Sequence, residues 1–243
     1  MDPKKNLLVN GGFYALALIG TCIAQWKGLH ALEFVSKPLL MLVLSSWFFF
    51  NSRRVGDRFT LLIQAGLFFS LVGDIALMFT YKDDFNFLVG LGAFFLAQLC
   101  YAFAFIQNIM DAGDLSGLPL AVLLAVGIGA FAFFFTWDLL PHVEQGLELP
   151  VIAYVGAITL MGMAAAFRYR RTWPRSFWLV LAGALLFISS DSLLAWNRFR
   201  MPMEHAPLLI MVPYAAGQAL LARGALLHVL DGGERRRKQA PAA

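Results

Sequence analysis

Apolar residues fall into eight long runs along the chain, at about 7–26, 34–50, 58–80, 85–106, 117–139, 150–171, 176–197 and 207–230. A helix needs roughly 20 apolar residues to cross about 30 Å of hydrocarbon, and each run comes close to that length. Polar and charged residues gather in the short connections between them. No connection leaves room for a second, water-soluble domain. The pattern predicts an all-α integral membrane protein, a single bundle of about eight transmembrane helices. Residues 1–243 then form one transmembrane domain ending in a basic tail, 231–243.

Composition agrees with the pattern. Hydrophobic residues make up 60% of the chain and charged ones 14%, too little polar surface to cover a soluble globule of this size. The net charge of +4 would suggest nucleic acid in a soluble protein. Its placement points elsewhere, and no nucleic-acid partner is expected. Thirteen Lys and Arg residues, among them Lys4, Lys5, Arg53, Arg54, Arg168 and the tail Arg235–Lys238, fall on alternate connections. Five fall on the others (Lys27, Lys37, Lys82, Arg198 and Arg200), with Arg223 inside the last span. The positive-inside rule puts both termini in the cytoplasm, as an even number of spans requires, and a bacterial inner membrane is the expected location. The loop around Asp111 and Asp114 falls on the basic side yet carries no Lys or Arg.

The first run follows Lys4 and Lys5 as a signal peptide would. It is longer than a signal peptide's apolar core, and no A-x-A-like cleavage site follows, so it reads as a retained span. Ile19-Gly20-Thr21-Cys22 resembles a lipoprotein cleavage site only faintly, with Thr where a smaller residue is usual. Cys22 and Cys100 lie within spans, as small hydrophobes, and form neither a disulfide framework nor a metal motif.

The spans hint at duplication. Gly66 precedes Asp74 by the interval at which Gly183 precedes Asp191. A small residue, Gly73 or Ser190, comes before each aspartate, and Leu77 or Leu194 follows three places on. Gln98 and Gln218 lie on the next spans. Two halves of four spans in one orientation would be related by an axis along the membrane normal. Chance similarity among apolar helices is the competing explanation.

Asp74 and Asp191 each lie six residues before the far end of their run, roughly 9 Å below one boundary at about 1.5 Å per residue. Tyr214 reaches a similar depth on the last span, with Gln218 one turn further on the same face. Lys37 and Tyr154 lie near the same boundary. A charged group at mid-bilayer costs about 2.5–3.5 kcal/mol on insertion scales, so both aspartates should face the bundle interior, paired, hydrated or protonated. They could be neutral carboxyls bridging helices, worth about 0.6–2 kcal/mol each. Two at matched depth suggest instead one polar pocket. Close carboxyls in a dry pocket do not both ionise easily, which leaves an acid beside a carboxylate. That pair can cleave a bond whose transition state is a cation next to oxygen.

Other chemistries lack their parts. His30, His142, His205 and His228 lie in loops or near helix ends without ligand spacing, so no metal and no cofactor is expected. Ser189 and Ser190 have no intramembrane His or Lys base. The Tyr-Asp and Gly-x-Gly-Asp signatures of intramembrane aspartyl proteases are absent: Leu71-Val72-Gly73 precedes Asp74. Two other classes remain open: a proton-coupled transporter titrating the same aspartates, and a lipid-binding membrane protein.

Several segments in order resemble the YhhN-type lysoplasmalogenases. They are Lys37-Pro38, Gly73-Asp74-Ile75-Ala76-Leu77, Gly90-Leu91-Gly92-Ala93-Phe94, Pro150-Val151 with Tyr154, Ser190-Asp191 followed by Ala195, Arg198 and Phe199, and Tyr214 with Gln218. The resemblance runs from about residue 36 to 224 and rests on order and spacing rather than on any one motif. It departs at Gln98, where relatives commonly carry His, which makes that position supporting rather than chemical. The resemblance implies hydrolysis of the vinyl ether bond of lysoplasmalogens, a lysophospholipid substrate met within the bilayer. Asp74 and Asp191 would be catalytic. Lys37, Tyr154, Asn197, Tyr214 and Gln218 would hold headgroup and glycerol, with the chain among Phe-rich helices. Snorkelling to the interface is the competing explanation for Lys37 and Arg198.

Overall fold

The computed structural model describes residues 3–52, 57–110 and 116–239. Among them run α1 (Pro3–Lys27), α2 (His30–Ser52), α3 (Arg58–Leu77), α4 (Phe85–Met110), α5 (Leu118–Leu139), α6 (Glu148–Phe167), α7 (Pro174–Ala195) and α8 (Ala206–Gln239). The described residues contain no strand. Each helix has a stretch long and apolar enough to cross a membrane. The chain is a multi-pass integral membrane protein. The loop of Asp111 and Asp114, the basic pair Arg53 and Arg54, and residues 240–243 lie outside the described residues.

Local chemistry sets the helix ends. Gly28 takes φ +67°, a left-handed conformation that glycine adopts without steric cost, and this reverses the chain between α1 and α2. Asp57 caps α3, its carboxylate accepting from the Thr60 N–H at 2.9 Å. Pro174 opens α7, where a missing N–H costs nothing.

Several ends differ from the hydropathy reading. α3 stops at Leu77 rather than near 80; the Thr80 hydroxyl then donates to the Leu77 carbonyl at 3.0 Å, and the Asn86 amide to that of Phe79 at 3.2 Å. α6 stops at Phe167 rather than near 171, and Arg170 takes φ +58° as the chain turns toward Pro174. α2 begins at His30, so Lys37 and Pro38 lie about two turns inside it rather than at its start. Backbone helix also continues through Gln239, past the point where the tail was expected to begin. Apolarity marks residues that tolerate lipid, whereas a helix continues or stops according to its backbone hydrogen bonds.

Lipid-facing surface is plainly apolar, with Leu8, Phe134 and Trp137 largely exposed. Inside, α3 packs chiefly on α4, α7 on α8, and α4 on α6. The neighbours repeat between the two halves. α1 lies on α2 as α5 lies on α6, α2 on α3 as α6 on α7, α3 on α4 as α7 on α8, and α2 on α8 as α6 on α4. α1 also touches α8, with no contact of that extent between α5 and α4. One sequence interval links Asp74 to Asp191, Lys37 to Tyr154, Thr80 to Asn197 and Tyr101, rather than the expected Gln98, to Gln218. Tyr101 and Gln218 are hydrogen-bonded to each other at 3.0 Å, as two equivalent positions beside a pseudo-twofold axis would be.

Gly183 of the duplicated pattern, together with Gly217, allows two helices to approach closely. A Cβ on Gly183 would stand 2.8 Å from the Gly217 carbonyl, and one on Gly217 2.9 Å from the Gly183 carbonyl. At this point α7 and α8 meet backbone to backbone, the use membrane helices make of small residues.

Candidate active site

Asp74, near the end of α3, is 2% exposed. The Tyr214 hydroxyl on α8 donates to its Oδ2 at 2.6 Å. Tyr214 is itself held from two sides. Phe94 and Phe187 pack edge-on against its ring, at 6.0 and 5.4 Å between centroids. One turn on, Gln218 donates to Ser70 Oγ at 2.9 Å while accepting from the Tyr101 hydroxyl at 3.0 Å. Gly73 makes room for this arrangement: a Cβ there would fall 2.6 Å from the Phe94 ring.

Asp191, on α7, has the matching partner. The Tyr154 hydroxyl of α6 donates to its Oδ2. Each aspartate therefore accepts a tyrosine hydroxyl from a neighbouring helix. Ser190 beside it donates to the Ile210 carbonyl at 2.9 Å, which ties α7 to α8 and is not a nucleophile's contact.

Two chambers meet at this point. One is polar, about 580 Å³, with both carboxylates, Lys37, Asn197, Arg198 and Tyr214 on its walls. The other is apolar, about 80 Å³, bordered chiefly by α4, α5, α6 and α7 with Phe131, Phe135, Val155 and Ile188 on its walls. Asp191 belongs to both, together with Leu77, Phe87, Phe94 and Leu194. It is the one acidic residue the two chambers share.

The structure brings together most of the expected residues and separates two. Asp74, Asp191, Lys37, Asn197 and Tyr214 line the polar chamber. Tyr154 lines only the apolar one, where its hydroxyl is committed to Asp191. Gln218 lines neither chamber. It is fully buried one turn deeper, anchoring Tyr214. Gln98 is likewise buried and on neither wall.

The sequence reading missed the rim. Arg198 is not merely snorkelling: its Nη2 meets Asp84 Oδ1 at 3.0 Å and Glu144 Oε1 at 3.5 Å, joining two loops to the π-helical turn Trp196–Arg200 that prolongs α7. In the same turn Asn197 accepts the Met203 N–H at 2.8 Å. Gln25 and Glu33, bonded at 2.9 Å, and Thr80 also line the polar chamber. Charged loop residues are usually solvated, so their spacing gave no signal of a shared wall.

The model of the YhhN family matches residues 32–225. This chain belongs to the YhhN family. The matched region contains both aspartates and every wall residue named above except Gln25, while all of α1 and the end of α8 fall outside it. Among curated proteins the chain is similar to human lysoplasmalogenase TMEM86B, 36% identical over 168 residues, 69% of this chain and 65% of that protein. The rat lysoplasmalogenase TMEM86B is 33% identical over 192 residues, 78% of this chain and 70% of that protein. A Mycobacterium tuberculosis lysoplasmalogenase is 31% identical over 139 residues, 57% of this chain and 50% of that protein. No solved structure matches.

Proposed function

We propose that this YhhN protein hydrolyses the vinyl ether bond of lysoplasmalogens, releasing a fatty aldehyde and a glycerophospho-alcohol. The observation that carries the reading is the place of Asp191, where a polar and an apolar chamber meet. A single-chain ether lipid has one such junction, the ether linkage between chain and headgroup. The relatives named as lysoplasmalogenases support the same reading.

Asp191 is then the general acid. It protonates the second carbon of the alkenyl chain; the double-bond electrons form the new C–H bond, and the positive charge is shared by the first carbon and the ether oxygen. Both aspartates accept a tyrosine hydroxyl, but α2 packs on α3 and brings Lys37 to the side of Asp74, which stays a carboxylate, whereas Asp191 also borders the apolar chamber, where the neutral acid is favoured. Its negative charge stabilises the oxocarbenium ion and directs water to the first carbon. The water's proton passes to the carboxylate. The hemiacetal hydroxyl then gives its proton to Asp191, restoring the acid, as the bond to the glycerol oxygen breaks; that oxygen takes the proton held by Asp74, and the aldehyde departs. General acid–base steps of this kind contribute typically 10²–10⁴-fold each. Lys37, Arg198 and Asn197 receive the phosphate and glycerol, and the chain enters the Phe-lined chamber. With both termini in the cytoplasm, the polar chamber opens toward the opposite face.

Three single-chain lipids with one headgroup test this: alkenyl, saturated alkyl ether and acyl. Aldehyde should appear only from the alkenyl lipid, and in D₂O it should carry one deuterium on its second carbon. Equal cleavage of the acyl lipid, or aldehyde without deuterium, contradicts carbon protonation. Uptake by proteoliposomes with no product would favour a carrier.

A further inference from the structure

Arg223 stands on α8 in the other half of the bundle, nine residues beyond Tyr214 and about 13 Å further along the axis. Asp231, where the apolar part of α8 ends, follows eight residues later, so the Arg223 backbone lies about 12 Å inside the span. The side chain is exposed on the lipid-facing surface. Among the described residues it has no carboxylate within 4 Å and no hydrogen bond, unlike Arg198 and Arg200. A bare guanidinium against hydrocarbon is among the costliest groups a span can carry.

It borders a groove of about 200 Å³ between α1, α2 and α8, with Leu7, Tyr14, Leu44, Trp47 and Ala219 among its walls. The Tyr14 hydroxyl is committed to the Ala215 carbonyl at 2.8 Å, so the tyrosine offers the groove its ring. The walls include no acidic residue. The groove therefore pairs one uncompensated positive charge with an apolar trough. A phosphodiester would neutralise that charge, and the long arginine stem can carry the guanidinium toward headgroup level. A zwitterionic headgroup would bring an ammonium with no carboxylate on the wall to meet it.

We infer that Arg223 holds the phosphodiester of an anionic membrane phospholipid, with an acyl chain seated between α1, α2 and α8. This lipid site is separate from the chambers of Asp74 and Asp191 and does not depend on the proposed reaction.

The test uses the full chain purified in an uncharged detergent. Phosphatidylglycerol and phosphatidylcholine of equal chain length are added, and lipid retention by native mass spectrometry is read beside the unfolding temperature. The native protein should retain phosphatidylglycerol preferentially and gain unfolding temperature with it. Arg223→Gln should weaken that retention roughly fivefold or more, the scale of one basic residue against an anionic surface. Arg223→Lys should keep most of it. Ala219→Phe, which fills the groove and leaves the charge, should also lower it. Equal retention of the two lipids by the native protein, or undiminished phosphatidylglycerol retention in Arg223→Gln, overturns the inference. So does undiminished retention in Ala219→Phe.

Discussion

Tyr214 gives its hydroxyl to Asp74 at 2.6 Å, and with the Gln218–Ser70 bond one turn away it joins α8 to α3 across most of the chain's length. It holds the carboxylate at the chamber wall and supplies a donor suited to its ionised form. A buried hydrogen bond to a charged group is worth about 1.5–3 kcal/mol, so Tyr214→Phe should lower kcat by about 10–100-fold with a smaller change in KM. Initial rates of aldehyde release check this. An unchanged kcat would mean that the carboxylate needs no such donor.

Tyr154→Phe makes the parallel case on Asp191. The acid loses its orienting partner at the junction of the chambers, and kcat should again fall about tenfold or more. Because Tyr154 lines only the apolar chamber, changing the headgroup from choline to ethanolamine should leave the size of that loss unaltered. A headgroup-dependent loss would return Tyr154 to the headgroup site.

Filling the apolar chamber should discriminate by chain length. Ala132 on α5 is one of its walls. Ala132→Phe should cut kcat/KM for long-chain substrates about tenfold while sparing short-chain ones, since each excluded methylene forfeits about 0.8 kcal/mol. Equal losses for both lengths, measured in one detergent, would place the chain elsewhere.

Arg168 is fully buried, and burial pushes its guanidinium below the ordinary arginine range. Its Nε donates to Asn108 at 3.0 Å, and its Nη2 to Ser176 at 2.9 Å. The Phe105 ring lies 5.1 Å away. Arg168→Ala would leave buried polar partners and a void, so thermal unfolding should show a loss of about 2–4 kcal/mol. A loss below about 1 kcal/mol would show that the desolvation cost cancels the network.

Much of this was legible beforehand. Hydropathy located all eight helices, and the expense of charge in hydrocarbon singled out Asp74 and Asp191. Depth alone grouped Tyr214 and Lys37 with them, and the family resemblance added Asn197. What the sequence did not carry was rotation and neighbour choice. Gln218 shares a helix face with Tyr214, yet it turns into the protein because Ser70 and Tyr101 offer it buried partners. Tyr154 faces the apolar chamber because α6 lies against α4 and α5. Arg198 finds Asp84 and Glu144 from loops far apart in sequence, and the π-helical turn that aims it has no hydropathy signature.

Both carboxyls are assigned to one substrate, and single substitution in folded protein separates that assignment from its alternatives. Asp74→Asn and Asp191→Asn keep size and hydrogen bonding while removing the anion and the acid. Each purified variant should retain the native unfolding temperature within a few degrees and lose aldehyde release by about 10²–10⁴-fold. Near-native turnover in either variant would contradict the two-carboxylate account.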